Sequence, residues 1–282
     1  MTACLVCLRR LEGDGAYHPR CARLLFGSAR RPSARALAPA PPPAHDQIRF
    51  IIKPQTPSFP ELPEIALVTL RLAELVGIQV ARCGLVDSGD GTPALVVRRF
   101  DRLDDGRELP CEDFCELAGL APAQRYDGSA ELCADIVRKF ATEPPIESLK
   151  LFRLMVYCWW AGHGDAHLQR FALLTGIDGV TRLSPAHDLM CTRLTLPDNQ
   201  LMLPHDQLVL PVGGKKDGLR RADWEEFGRY CGLPPRSIAR ELARFPAALG
   251  KAAALLSMAP LRPPFRAQYA ELLLARTAAL AP

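Results

Sequence analysis

The run SLKLFRLMVYCWWAG, residues 148–162, carries apolar side chains on nearly every face of a helix. Such a helix has no side to offer to water, so it has to be a spine with other elements packed around it. A chain of 282 residues is long enough to supply that packing, as one large domain or as two intimate lobes. No apolar run reaches the length that crosses a bilayer, so no membrane partner is expected.

The elements around the spine divide in character. Ahead of it, IRFIIKPQ reads as a β-branched strand ending at Pro54, and PELPEIALVTLRLAELVGI as a helix between Pro63 and Gly77. QVARCGLVD and PALVVRRFDR read as two strands joined by the turn SGDG, closing a first lobe near Phe100–Arg102. CEDFCELAGL and SAELCADIVRKFA read as helices. Beyond the spine, FALLTGIDGVTRL reads as a hairpin. RADWEEFGRYCGL, PRSIARELARFPAALGKAAALL and FRAQYAELLLARTAAL then read as helices. The expected organisation is a Cys/His element (1–26), a Pro/Ala/Arg-rich linker or loop (27–46), a β-rich N-lobe (47–110) and a helical C-lobe (111–282). The fold class is α+β, in two lobes.

The net charge of +4, with acids and bases interspersed, gives no footprint for direct nucleic-acid binding. Arg30, Arg31 and Arg35 are read as part of a solvated linker. MTACLVCLRRL is too short and too soon charged for a signal peptide, so a cytoplasmic location is expected. In that setting the ten cysteines are thiols or metal ligands rather than a disulfide framework. Cys4, Cys7, His18 and Cys21 form two pairs at two-residue gaps, a spacing that suits a closed, structural Zn²⁺ site; the plainer alternative is that Cys4 and Cys7 pack as small hydrophobes. Cys111 and Cys115 have the spacing of one helix face and are expected to be core.

GHGDAHLQRFALL, residues 162–174, is a polar break between the spine and the hairpin, and the hairpin leads to Asp188 in SPAHDL. A loop acid followed by a second acid is the order a phosphoryl-transfer site needs: Asp165 to orient a hydroxyl, Asp188 to hold Mg²⁺ against phosphates. Lys53, on the strand FIIKPQ, can neutralise phosphate oxygens.

Together with YHPRCARLLFG, PELPE, LAELVGI, RRFDR, EDFCELAGL, YDGSAE and GGKK, these pieces resemble, in order, the HipA family of toxin kinases in its short, HipT-like form. The resemblance implies a protein-kinase-like two-lobe fold and an ATP- and Mg²⁺-dependent serine/threonine kinase of a toxin–antitoxin module. Its substrate would be a protein hydroxyl, such as that of an aminoacyl-tRNA synthetase, and its partner a helix-turn-helix antitoxin or an accessory antitoxin protein. Carried over by position, Lys53 is the phosphate lysine, Asp165 the catalytic acid supported by His167, and Asp188 the metal ligand. Arg98, Arg99 and Phe100 fall on the hinge beside the adenine.

The chain departs from that pattern at three places. Arg170 stands where the family's Asp-x-His-x-x-Asn loop has a metal-binding Asn; a guanidinium has only donors and cannot ligate a cation, but it can meet phosphates directly. Ala66 stands at the place of the helical Glu, and Glu64 lies two residues away on a different helix face. The glycine-rich phosphate loop is replaced by ARALAPAPPPAHD, with Ser28 and Ser33 the nearby hydroxyls; prolines offer no N–H to phosphate. A catalytically impaired pseudokinase that binds nucleotide or a partner is therefore the alternative reading.

Overall fold

The computed structural model describes residues 3–11, 15–27, 49–195 and 207–281. The expected linker, with Ser28, Arg30, Arg31, Ser33 and Arg35, lies outside the described residues beyond Gly27. The first helix, α1 (Pro19–Phe26), opens on a proline and closes on Gly27 at φ 77, whose N–H returns to Arg23 O.

Three strands follow: β1 (Phe50–Pro54), β2 (Cys83–Asp87) and β3 (Pro93–Arg98), in the antiparallel order β1-β3-β2. Alternate residues divide between two layers. Cys83, Leu85, Leu95 and Val97 face the main core with α2 (Leu62–Leu75), while Val86, Ala94 and Val96 pack with Phe26, Phe50 and Ile52. β2 and β3 are thus buried on both faces, which is why they read as unbroken apolar runs, whereas β1 leaves Ile51 exposed.

CEDFCELAGL is not one helix. Asp113 Oδ1 accepts from Glu116 N at 2.9 Å and Glu116 Oε2 accepts in turn from Asp113 N at 3.0 Å, a capping box that starts α3 (Phe114–Leu117) at Phe114. Cys111–Asp113 is strand β4, paired with β5 (Ala172–Thr175), which pairs with β6 (Thr181–Leu183). Cys111 and Cys115 therefore sit on different elements, and the shared helix face expected of them does not exist.

α4 (Ala130–Phe140) and the spine α5 (Pro144–Trp160) lie in the larger lobe with α6 (Thr192–Thr195), α7 (Arg221–Tyr230), α8 (Pro235–Leu242), α9 (Arg244–Met258) and α10 (Pro263–Ala279). PRSIARELARFPAALGKAAALL divides into α8 and α9 at Ala243, because Pro246 is tolerated in a first helical turn and not in a helix interior. Eleven residues of α5 are buried, among them Phe152, Tyr157, Trp159 and Trp160, as an all-round apolar helix requires. Its polar tips are bonded: Tyr157 donates to Thr69 O on α2, Trp160 Nε1 to Thr277 Oγ1 at 2.8 Å, and Arg276 to Trp159 O at 2.9 Å. The spine thereby joins the small lobe's helix to the C-terminal helix.

Candidate active site

Asp165 is delivered by the end of the spine. Gly162 turns the chain at φ 71, and a Cβ there would lie 2.6 Å from Leu272 Cδ2 and 3.0 Å from Cys191 Sγ. The turn needs glycine for conformation and for space. His163 follows, buried, with Nδ1 donating to Met190 O at 3.0 Å. Burial, then the charge of Arg170, lowers this ring from 6.5 to about 4, so it is neutral near pH 7. The bond ties the Asp165 loop to the segment that carries Asp188.

Beyond Asp165 the chain makes one 3-10 turn, Leu168–Arg170, which brings Arg170 back beside it. Tyr126 donates to Asp165 Oδ1 at 3.1 Å, and its ring meets His167 edge-on at 5.1 Å. His167 is buried behind the acid, with Nε2 3.9 Å from Asp165 Oδ2. Burial, then Arg170, lowers it to about 4.

Asp188 is held from two sides. Ala186 pairs with the run before β2, through Ala186 N to Gln79 O at 2.8 Å and Ala81 N to Ala186 O at 2.9 Å. Cys191 N donates to Thr69 Oγ1 at 3.1 Å. Between these anchors Asp188 takes a left-handed φ of 54, a strained conformation for a residue with a Cβ.

Four charges meet here. Lys53 on β1 pairs with Asp188 Oδ1. Arg170 reaches Asp188 Oδ2 at 2.7 Å with one nitrogen and Asp165 Oδ2 at 3.1 Å with the other. Burial pushes the Asp188 carboxyl up; Lys53, His187 and Arg170 together outweigh it and leave it below its ordinary value. Two cations balance two acids, all partly open to solvent.

At the expected hinge, the Phe100 ring lies 5.3 Å from His187, next to Asp188. Arg99 is turned into Asp101, and Arg98 into Asp104. A cavity of about 350 Å³ is lined by Arg99, Phe100, Leu174 and Pro185 among others. Glu64 on α2 is buried, its Oε2 has no partner within reach, and burial raises it to about 7; Lys53 turns to Asp188 instead. Far from this cluster, on α1 and the chain before it, one ligand atom each of Cys4, Cys7, His18 and Cys21 lies within 4.8 Å of the others, a group that could hold a metal ion.

Sequence reasoning gave Tyr126 no role and His163 none in the chemistry of the site. YDGSAE marked the first of these positions only as part of a family pattern. The contact of Tyr126 with Asp165 joins segments far apart in the chain, which no local spacing reveals.

A small sheet lobe and a larger helical lobe, with a strand lysine meeting a loop acid between them, define a kinase-like protein. The family model of the HipA-like C-terminal domain matches residues 34–252, and the chain belongs to that family. A protein of Sinorhizobium fredii named "Putative kinase" is 29% identical over 194 residues, covering 65% of this chain and 44% of its own length. A protein of the same description from Haemophilus influenzae is 24% identical over 206 residues, covering 67% and 58%. The chain thus spans about half the length of these relatives. Among solved structures, HipA of Shewanella oneidensis, in complex with HipB and operator DNA, superposes with a TM-score of 0.69 at 21% identity, over 82% of this chain and 58% of that one. The Helicobacter pylori proinflammatory kinase CtkA superposes with a TM-score of 0.58 at 14% identity, over 83% and 88%. At those identities the likeness is one of fold.

Proposed function

We propose that this chain is a protein serine/threonine kinase of a toxin–antitoxin module, transferring phosphate from ATP to a protein hydroxyl, with an aminoacyl-tRNA synthetase as the expected class of target. The observation that carries the reading is the convergence of Lys53, Asp165, Arg170 and Asp188 at one point between the lobes. Lys53 and Arg170 are cations placed to meet phosphate oxygens. Asp165, backed by Tyr126 and a neutral His167, is placed to orient an incoming hydroxyl and accept its proton. Phe100 and the backbone beside it supply an apolar edge for a base. A helix-turn-helix antitoxin or accessory protein is the expected partner, and the cytoplasm the expected location.

The donor set does not fit the paired-ligand Mg²⁺ site of such kinases. Asp188 is the remaining carboxylate of that pair, and both its oxygens are engaged by protein cations; Arg170, at the second ligand's place, brings a positive charge instead of a lone pair. This favours a second reading, a nucleotide- or partner-binding module that transfers nothing. Phosphate transfer from labelled ATP, to the chain itself or to a lysate, separates the two. Label that disappears in Asp165→Asn while nucleotide binding persists is expected of the kinase; binding without any transfer leaves the module.

A further inference from the structure

We propose that Cys4, Cys7, His18 and Cys21 hold one structural Zn²⁺, and that the segment it closes is the cover for the open edge of strand β2. The site is independent of the phosphate cluster: it lies ahead of residue 34, where the match to the family model begins, and it docks on β2, whereas Lys53 lies on β1 at the opposite edge of the sheet.

The ligands come from two pieces of backbone built for the purpose. Ala3 and Arg10 form an antiparallel bridge that closes a small loop, with Cys4 N to Arg9 O at 2.9 Å and Leu8 N to Cys4 O at 2.9 Å. The residue after Cys7, Leu8, takes a left-handed φ of 55, which a leucine rarely adopts. The Leu8 side chain is buried there, and the Cys4 and Cys7 thiols lie close to His18 and Cys21. The other two ligands flank the start of α1: His18 is its N-cap and Cys21 lies in its first turn.

The histidine fixes the chemistry. Its Nε2 lies 3.0 Å from Arg10 O, so that nitrogen donates and Nδ1 keeps its lone pair. Nδ1 faces Cys7 Sγ at 3.4 Å and Cys21 Sγ at 4.0 Å. Zn–S bonds of about 2.3 Å and a Zn–N bond of about 2.0 Å place tetrahedral ligand atoms roughly 3.5–3.8 Å apart; the two His18 contacts, at 3.4 and 4.0 Å, bracket that range, and the four ligand atoms all lie within 4.8 Å of one another, so a small contraction closes the site. A carbonyl behind the ligating imidazole is the outer contact that zinc sites use to hold the ring. Three sulfurs and one nitrogen suit Zn²⁺ over the oxygen-seeking cations. Four protein ligands leave no open position, so the role is structural. As each sulfur–metal bond forms, any thiol still protonated releases its proton to solvent, and the site carries one net negative charge. The buried guanidinium of Arg71, which pairs with Glu74 and donates to Cys83 O, lies within electrostatic reach of Cys7 and Cys21 and acts in the favourable direction.

What the closed segment does follows from its contacts. β2 pairs with β3 on one side only. On the other side Leu85 N donates to Leu5 O at 2.9 Å, and Tyr17 donates to Leu85 O at 2.6 Å. Both outward backbone groups of Leu85 are thereby satisfied by this segment. The approach is so close that a Cβ on Gly84 would lie 2.7 Å from Val6 Cγ2 and 2.8 Å from Leu25 Cδ2. An edge strand left bare invites pairing with another chain, and a segment this short holds its shape through the metal rather than through a core of its own.

The test uses the full chain, purified without chelator or affinity metal. Elemental analysis is expected to give one zinc per chain, with release on titration by a mercurial thiol reagent. Cobalt exchanged for the zinc should give the intense visible bands of a tetrahedral thiolate site. Cys21→Ser should shift those bands, and Cys111→Ser should leave them unchanged. Because ligand variants can fail to fold, the wild-type chain is also melted with and without a strong zinc chelator; stripping should lower the melting temperature and raise light scattering as the β2 edge opens. Full-length protein from zinc-supplemented cells that holds no zinc, gives no cobalt bands and melts identically in chelator would overturn the proposal, whatever the outcome for ATP.

Discussion

Arg170 spans Asp165 and Asp188, with one guanidinium nitrogen 3.1 Å from the first carboxylate and the other 2.7 Å from the second. It links two acids that would otherwise repel, and it stands where a metal ligand is expected. With Lys53 the cluster is neutral; take Arg170 away and one net negative charge remains around a half-open cleft. Arg170→Asn is therefore expected to create a demand for a divalent cation. The wild-type chain should be stabilised by ATP in the presence of EDTA, and the variant only when Mg²⁺ is added. Thermal shift with ATP, with and without Mg²⁺, reads this directly. Identical metal dependence in the two proteins would remove Arg170 from the cation's place. The loss of basal stability should be modest, about 1 kcal/mol, because the pairs are partly solvated.

Tyr126→Phe removes one hydroxyl from Asp165 and keeps the ring against His167. A single hydrogen bond of this kind contributes about 1 kcal/mol, so folding and nucleotide affinity should change little. If Asp165 orients an acceptor, the transfer rate should fall roughly fivefold, since about 1.4 kcal/mol is a factor of ten and this bond contributes about 1 kcal/mol. Measuring ATP affinity and labelled-phosphate transfer on the same preparation separates these. A parallel loss in both would make Tyr126 a general support of the cleft rather than of Asp165.

The large elements and their order were legible because each depends on local pattern: the all-round apolar spine, the Pro63-to-Gly77 helix and the hairpin at GIDG. Lys53, Asp165 and Asp188 could be picked out as chemistry-bearing residues, and the family pattern gave their order. What local pattern could not carry was competition at a boundary. CEDF has helical apolar spacing, yet the Asp113–Glu116 capping box starts the helix late and leaves Cys111 to pair with Leu174. Nor could spacing show that Lys53 pairs with Asp188 rather than with α2, or that His163 bonds Met190, because those contacts close only when the lobes are assembled.

Acid should loosen the fold in a predictable window. His163 and His167 are lowered from 6.5 to about 4 by burial and by Arg170, so between those values the unfolded chain binds more protons than the folded one. Their contribution is complete above about pH 6.5 and declines as pH falls toward 4. Glu64 acts in the opposite sense: burial raises it to about 7, so the folded chain takes up a proton there as pH falls. Two rings against one carboxyl leave a net loss of stability that is slight at pH 6.5 and grows to on the order of 1 kcal/mol per pH unit near pH 5. Urea unfolding at several pH values measures the slope. Glu64→Gln should steepen it and His163→Asn should flatten it; stability that stays level or rises on acidification in the wild type would contradict the assignment.

Gly162 is the joint through which the spine delivers Asp165, and it is constrained twice. Its φ of 71 disfavours any side chain, and the space where a Cβ would sit is held by Leu272 and Cys191. Gly213 shares the backbone sign, at φ 56, with nothing near its Cβ position. Gly213→Ala should therefore cost only the conformational penalty, about 1–2 kcal/mol. Gly162→Ala should add an overpacking cost of about 1–3 kcal/mol, because the Leu272 methyl and the buried Cys191 thiol that occupy the space would both have to shift. Chemical denaturation of the two variants gives the difference. Equal losses would mean that α10 yields easily at Leu272; a larger loss at Gly162, with ATP binding impaired as well, would place the geometry of the acid cluster under the control of that one turn.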